Sequence, residues 1–310
     1  MAAPQRLGLI GAGRWGRNYI RTIDALPGVR LSRLASRNPD SVRIAPADCA
    51  VVPDWRDLLD RNALDGVIIA TPPGLHAEMA LAAIDAGLPV LIEKPLTLDI
   101  AQARALSRKA LERRAIAMVN HTHLFHPAYR ALKSLLPDYG LIREIRAEAG
   151  SLGPFRLDTP VLWDWGAHDV AMCIDIMRER PSRVSARILE RREVAGGHGE
   201  TLRLELEFPN RVGATIVVSN ILATKTRRLT VTCDRAALVY DDFAAEKLLV
   251  HAREQRHAVA FEPDLPLSVV VREFAAAIST RTFDATALDT GLSVVETLSA
   301  CAATLPTTTK

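Results

Sequence analysis

The sequence predicts an α/β chain of two domains. A parallel sheet with helices on both faces is expected over residues 1–120, and an α/β domain with a large, open, mostly antiparallel sheet over residues 121–310. Three observations lead there. Short apolar runs alternate with amphipathic segments through the first 120 residues, the rhythm of strand–helix–strand crossovers. Beyond Asn120 the hydrophobic period drops to two over several long segments, as in a sheet with one open face. The length of 310 residues suits two cores better than one.

In chain order, residues 6–10 form a buried strand, 14–25 a helix and 29–36 a second strand. Residues 50–52 form a short strand, followed by a helix starting near Asp54, whose carboxylate suits an N-cap. The apolar runs GVIIA (66–70) and PVLI (89–92) have strand length, and 74–86 between them is apolar on one helical face. A helix over 99–113, with Asp99 as cap, and a strand over 115–119 complete the first domain. The second domain begins with a helix over 128–136, a strand over 143–149, a Gly- and Pro-rich loop over 150–160 and a helix over 164–177. Alternating strands follow at 184–189, 201–208, 213–219, 228–233, 237–240 and 247–250. Helices over 267–279 and 290–303 close the chain, the latter expected to pack back on the first domain, and the tail 306–310 is expected to fray. With few helices left to cover the second sheet, two such sheets are expected to pack together in a homodimer or homotetramer.

Bulk properties exclude several classes of function. Hydrophobic residues make up 48% and charged residues 24%, ordinary for a soluble globular protein. A net charge of +3 is too small to argue for a nucleic-acid or membrane partner. There is no apolar run of about 18 residues, the length a membrane span needs. The first six residues lack the layout of a secretion signal, so the cytoplasm is expected. Cys49, Cys173, Cys233 and Cys301 are far apart, as expected for reduced thiols.

Gly11-Ala12-Gly13-Arg14-Trp15-Gly16 follows the first strand and opens the first helix. A GxGxxG run in that setting is a dinucleotide-binding turn. Gly11 permits the tight turn, Gly13 lets the backbone approach a pyrophosphate, and Gly16 lets helix and strand pack closely. Free N–H groups at the helix start, around Arg14 and Trp15, carry partial positive charge toward the phosphates. This makes residues 1–120 a Rossmann domain. The second strand ends at Ser36-Arg37, where NAD-binding domains carry an acidic residue for the ribose. A hydroxyl and a guanidinium there favour the 2′-phosphate of NADP(H), with NAD(H) as the alternative.

Glu93-Lys94-Pro95 ends the strand 89–92, and Thr71-Pro72-Pro73 ends its predecessor at the same edge of the sheet, where open α/β folds bind ligands. Lys94 there is placed to donate a proton to a substrate oxygen or to stabilise an alkoxide, while Thr71, Pro72, His76 and Glu93 line the cofactor. With GAGRWG at 11–16, ATPPGLHAEMALAAIDAG at 70–87, EKPL at 93–96, WDWGAHD at 163–169 and DTGLSVVE at 289–296, the chain resembles the glucose–fructose oxidoreductase/inositol dehydrogenase (Gfo/Idh/MocA) family over nearly its whole length. The resemblance implies a Rossmann domain followed by an α/β domain with a large open sheet. It also implies NAD(P)-dependent oxidation or reduction of sugars, polyols or related hydroxy compounds. It makes Lys94 catalytic, with its bond to Pro95 often cis, and carries an Asp-x-x-x-His pair to Asp164 and His168. Segments 13–18, 121–136 and 163–169 look closest to the branch acting on nucleotide-linked sugars. The chain departs from that branch at Ser36, where relatives usually carry an acidic residue, and in the shortness of the loop 150–160.

On a helix, Asp164 and His168 at i and i+4 would share a face, and a carboxylate raises the basicity of an adjacent imidazole. His168 is then the acid/base for the hydroxyl proton, and Asp164 its orienter. Arg156 and Trp165 are further candidate substrate contacts. The spacing of His121, His123 and His126 does not put all three on one helix face. The three are expected in a loop lining the site, with no metal. Residues 225–228 are expected to form a solvated turn or strand edge. A catalytically silent NADP(H) sensor or scaffold is the alternative from another class, although it needs neither Lys94 nor the Asp–His pair. A second alternative is an imine or enone reductase, which needs a proton donor but no such base.

Overall fold

The computed structural model describes residues 3–156, 159–195, 197–253 and 255–306. The tail expected to fray lies, beyond Pro306, outside the described residues. In chain order the first elements are β1 (Gln5–Ile10), α1 (Arg14–Asp24), β2 (Val29–Ala35), β3 (Ala50–Val52), β4 (Gly66–Ile69), α2 (His76–Asp85), β5 (Val90–Glu93), α3 (Ile100–Arg113) and β6 (Ala117–Asn120). Then follow α4 (Pro127–Leu135), β7 (Ile142–Leu152), α5 (Val161–Asp164), α6 (Gly166–Met177), β8 (Arg183–Val194), β9 (Gly197–Glu207), β10 (Gly213–Ser219) and β11 (Ile221–Cys233). The chain continues through β12 (Ala237–Asp241), β13 (Leu248–Ala252), β14 (Gln255–Ala258), α7 (Pro266–Thr280) and α8 (Thr286–Thr304).

The chain divides into two compact units. One holds the residues up to Thr122 together with Leu265–Leu292, the other His123–Asp264 together with the residues from Ser293 onward. The boundary at residue 120 is thus displaced by two positions, and α7 with the first turns of α8 returns to the first unit. Phe274 of α7 is buried, and a Cβ placed on Gly66 would meet its ring at 3.0 Å, so apolar contact on β4 places α7 there.

In the first unit the strand order is β3-β2-β1-β4-β5-β6, with every pairing parallel. The order reverses between β1 and β4, which opens a crevice beyond their C-terminal ends. The strands β1, β4 and β5 are Leu-, Ile- and Val-rich and buried on both faces, as parallel strands covered by helices must be. Asp54 is a cap, accepting from the Arg56 N–H at 3.0 Å, but the segment it starts is a single 3₁₀ stretch, Trp55–Leu58.

The second unit carries an eight-stranded sheet in the order β14-β13-β12-β11-β7-β10-β9-β8, parallel only between β7 and β10. β7 runs on to Leu152, three residues into the expected loop, and β14 is an exposed edge strand with no apolar alternation to reveal it. One face presents Ile145, Leu204, Ile216 and Leu229, all buried. Helices α4, α5 and α6 of the same unit pack on this sheet, so its apolar face has a cover within the chain. The opposite face pairs Thr215 with Arg146 and Glu205, and Val217 with Glu148 and Arg203, a mixed charged surface and not an apolar one.

The helix expected over 164–177 is broken. Asp164 ends the short helix α5, Trp165 is the junction, and α6 starts at Gly166. Trp165 itself keeps right-handed helical dihedrals, φ −91° and ψ −47°, so the interruption is confined to that one residue.

Candidate active site

One group of candidate residues lies at the C-terminal edge of the parallel sheet. Gly11 takes φ +102°, a left-handed conformation, and a Cβ on it would meet the Ala70 carbonyl oxygen at 2.6 Å. A Cβ on Gly16 would stand 2.0 Å from the Gly11 carbonyl oxygen, so helix and turn close only over glycine. Gly13 is different, because nothing in the protein lies within 4 Å of its virtual Cβ. Its bareness leaves open room beside the first turn of α1, which begins at Arg14 with no acidic residue. A dinucleotide pyrophosphate fits that cradle: free N–H groups, positive dipole and space for close backbone approach. The adjoining cleft, of ≈ 590 Å³, is lined by Gly11, Ser36, Arg37, Trp55, Thr71 and Pro72 among others. Ser36 Oγ lies 2.7 Å from Ser41 Oγ and accepts from the Asn38 N–H at 3.2 Å, and Arg37 is exposed.

Lys94 follows the last residue of β5, the strand beside β4, and its peptide bond to Pro95 is cis. The residues around it are locked. His76, fully buried, sets Nδ1 2.9 Å from the Pro95 carbonyl oxygen and Nε2 2.9 Å from that of Thr71. It ties the lysine turn to the end of β4, and its side chain is thus engaged with backbone; burial, and secondarily the Lys94 charge, push its pKa down. Glu93 is also buried, its carboxylate held by Tyr19 and Asn120. His121, 1% exposed, has neither ring nitrogen bonded within the protein, and burial with the nearby Lys94 pushes its pKa down to about 3. It is a neutral imidazole offering one donor and one acceptor. Sequence reasoning gave His121 only a general place in a lining loop and missed Tyr19 and Asn120 altogether, since neither has a motif.

A second group of candidate residues lies in the other unit. His168 stands in the first turn of α6, 8% exposed, with its ring 4.9 Å from that of His123 and perpendicular to it. His123 Nδ1 is 3.1 Å from the Tyr240 hydroxyl. His126 Nδ1 accepts from the Ala128 N–H, so Nε2 carries the proton toward Asp242, 3.3 Å away. Burial works against the Asp242 charge, but this bond and the neighbouring His123 and Lys247 hold its carboxyl at about 2. The three histidines thus divide their work, and among the described residues no three ligating side chains gather as a metal site.

Asp164 Oδ2 lies 3.3 Å from Arg156 Nε. Both line a cavity of ≈ 780 Å³, with Trp163, Trp165, Arg191 and Glu200 also on its wall. Trp163 is buried, whereas Trp165 is partly open, and the Arg227 guanidinium lies 5.5 Å from its ring centre. Arg227 corrects an expectation. It is not in a solvated turn but buried in β11, 3.3 Å from the equally buried Asp169. A KTRR run gives no sign of which of its three cationic residues points inward until the strand register is known.

Residues 5–121 match the family model described as the Gfo/Idh/MocA oxidoreductase family with NAD-binding Rossmann fold, and residues 140–239 match the Gfo/Idh/MocA C-terminal domain. The sequence is 37% identical over 154 residues to a dTDP-3,4-didehydro-2,6-dideoxy-alpha-D-glucose 3-reductase of Actinomadura kijaniata, covering 48% of this chain and 46% of that one. It is 32% identical over 186 residues to the UDP-N-acetylglucosamine 3-dehydrogenase of Acidithiobacillus ferrooxidans, covering 58% and 57%. The chain thus spans about half the length of these curated relatives. A crystal structure of a candidate oxidoreductase from Magnetospirillum magnetotacticum MS-1 superposes with a TM-score of 0.91 at 45% identity, covering 96% of this chain and 100% of that one.

Proposed function

The chain belongs to the Gfo/Idh/MocA oxidoreductase family, and from that premise we propose that it transfers a hydride between a nicotinamide cofactor and a hydroxyl or ketone of a sugar, polyol or sugar derivative. NADP(H) is the preferred cofactor, with NAD(H) second. The observation that carries the reading is the juxtaposition at one sheet edge of a glycine cradle with open room at Gly13 and a lysine at the end of the neighbouring pair of strands, β4 and β5.

When bound, the nicotinamide supplies the hydride acceptor or donor. The protein's residues do the rest. Gly11, Gly13, Gly16, Arg14 and Trp15 hold the pyrophosphate, and Ser36 and Arg37 the adenosine end with its 2′-phosphate. Thr71 and Pro72 line the cleft, while His76 and Glu93 act from behind through the backbone they hold. In the oxidation, the carbon gives up hydrogen with its electron pair, and the hydroxyl proton passes to a ring nitrogen of His168. Asp164 supports the protonated form. Lys94 donates a hydrogen bond to the oxygen as its charge changes, and His121 adds a neutral donor and acceptor beside it. Arg156 and Trp165 contact substrate.

Two finer points follow from the same geometry. On the wall of the second unit's cavity, Arg156 is paired with Asp164 and Arg191 with Glu200. With its arginines already committed to carboxylates, the described wall favours an uncharged polyol or sugar over a pyrophosphate-linked one. Self-association into a homodimer or homotetramer remains part of the proposal, with the large sheet's open face as the surface available for it. No described helix is long and apolar enough to cross a membrane.

Replacing Lys94 by Ala tests the reading. Turnover should fall roughly 10²–10⁴-fold, the usual worth of a proton donor, with little loss of cofactor affinity. Unchanged turnover would reject the role.

A further inference from the structure

Glu93 is an uncommon residue to find where it is. It ends a central parallel strand, 4% exposed, and burial raises its pKa. Its Oε1 accepts from the Tyr19 hydroxyl at 2.8 Å and from Asn120 Nδ2 at 2.6 Å, and Asn120 Nδ2 also lies 2.9 Å from the Tyr19 oxygen. Thr122 Oγ1 donates to Asn120 Oδ1 at 3.0 Å, which fixes the amide with its NH₂ toward Glu93. Three elements meet in this cluster: α1 through Tyr19, β5 through Glu93 and β6 through Asn120.

A buried carboxylate is a poor way to gain stability, because its desolvation roughly cancels what its hydrogen bonds return, and well-packed apolar side chains do as well or better. The cluster is better explained by its neighbours. Glu93 precedes Lys94 directly, and the lysine's charge and backbone N–H both favour the ionised carboxylate. Tyr19 lies on α1, the helix whose first turn forms the phosphate cradle.

We propose that Tyr19, Glu93 and Asn120 are positioning residues that fix the Lys94 turn and tie it to the cofactor-binding helix α1, so that the lysine's setting depends on what α1 holds. The inference rests on the catalytic role given to Lys94 above. Burial is the main force that lowers the pKa of His76, from α2, and of His121, after β6, and the Lys94 charge acts in the same direction on both.

The test needs a readout that does not require the substrate. The lysines of the full chain are reductively methylated with ¹³C-formaldehyde, and the Lys94 resonance, assigned by its loss in Lys94→Arg, is titrated with pH with and without NADPH. The wild type should show a Lys94 titration that moves when NADPH binds. Tyr19→Phe removes one hydroxyl and keeps the ring. It should shift the Lys94 midpoint by about half a pH unit or more and reduce the NADPH-induced movement, with NADPH affinity within about threefold. Glu93→Gln should do the same, and adding Tyr19→Phe to it should have little further effect, as in a cycle of coupled groups. If Tyr19→Phe lowers the melting temperature while leaving the Lys94 titration and its NADPH response as in the wild type, the cluster is structural only and the inference falls. If the Lys94 titration behaves as expected but Lys94→Ala turns over normally, the inference about positioning holds and the assignment of catalysis to Lys94 fails.

Discussion

His121 shows how burial sets a residue's chemistry. Its ordinary pKa of 6.5 drops to about 3 in the folded protein. Between those values the unfolded chain binds a proton that the folded chain does not. The contribution to stability is therefore complete above about pH 6.5 and is lost as pH falls toward 3, by ~1.4 kcal/mol per pH unit. Urea midpoints measured from pH 7 to 4 should fall more steeply for the wild type than for His121→Leu, and parallel curves would contradict this account. Ser36 makes a prediction of the same scale. An aspartate there places a carboxylate against a 2′-phosphate, so Ser36→Asp should weaken NADPH by roughly tenfold or more while NADH changes little, since like-charge juxtaposition costs on the order of kcal/mol. Equal effects on both cofactors would count against Ser36 and Arg37 as the selecting pair. The sequence singles out Ser36 because a short motif fixes its place after the second strand. Tyr19, Asn120 and Arg227 were not legible there, because their partners are 74, 27 and 58 residues away and nothing local marks them.

Among the elements, the turn from β1 into α1 was the most legible, since its glycines are required by backbone geometry that the motif itself encodes. The same geometry separates two of them. Gly16→Ala would drive a methyl into the Gly11 carbonyl oxygen and should destabilise the fold by several kcal/mol, on the order of 3. Gly13→Ala meets nothing in the protein, so it should melt like the wild type yet bind NADPH about tenfold or more weakly, its methyl occupying the room for the phosphates. A melting temperature by circular dichroism and a fluorescence titration on each variant check the pair. Loss of stability in Gly13→Ala, or normal NADPH binding by it, would contradict the cradle. The break between α5 and α6 was not legible, because Asp164 to Met177 is helix-compatible throughout and the sequence carries no proline to mark the junction at Trp165. The edge strand β14 escaped for the opposite reason: every residue in it is exposed, so it has no periodicity to detect.

For the whole molecule, the fold class was legible because period-two and period-3.6 patterns occupy separate stretches of chain. The return of α7 to the first unit was not, since an amphipathic helix does not state which sheet it will cover, and of the helix expected to pack back on the first domain only the residues up to Leu292 belong to that unit, those from Ser293 onward belonging to the second. The expectation of an uncovered apolar sheet erred because α4, α5 and α6 supply the cover. The self-association proposed above would have to use the other face, where Arg146, Glu148, Arg203 and Glu205 are interleaved. Light scattering on the eluting protein should report a dimer or tetramer. Arg146→Glu with Arg203→Glu should shift it toward monomer, and a monomeric wild type would remove the proposal. The central claim, a nicotinamide-dependent oxidoreductase that prefers NADP(H), is tested most directly by titrating the purified protein with NADPH and, separately, NADH and following fluorescence. The account predicts saturable binding with NADPH clearly the tighter; binding of neither cofactor would contradict it.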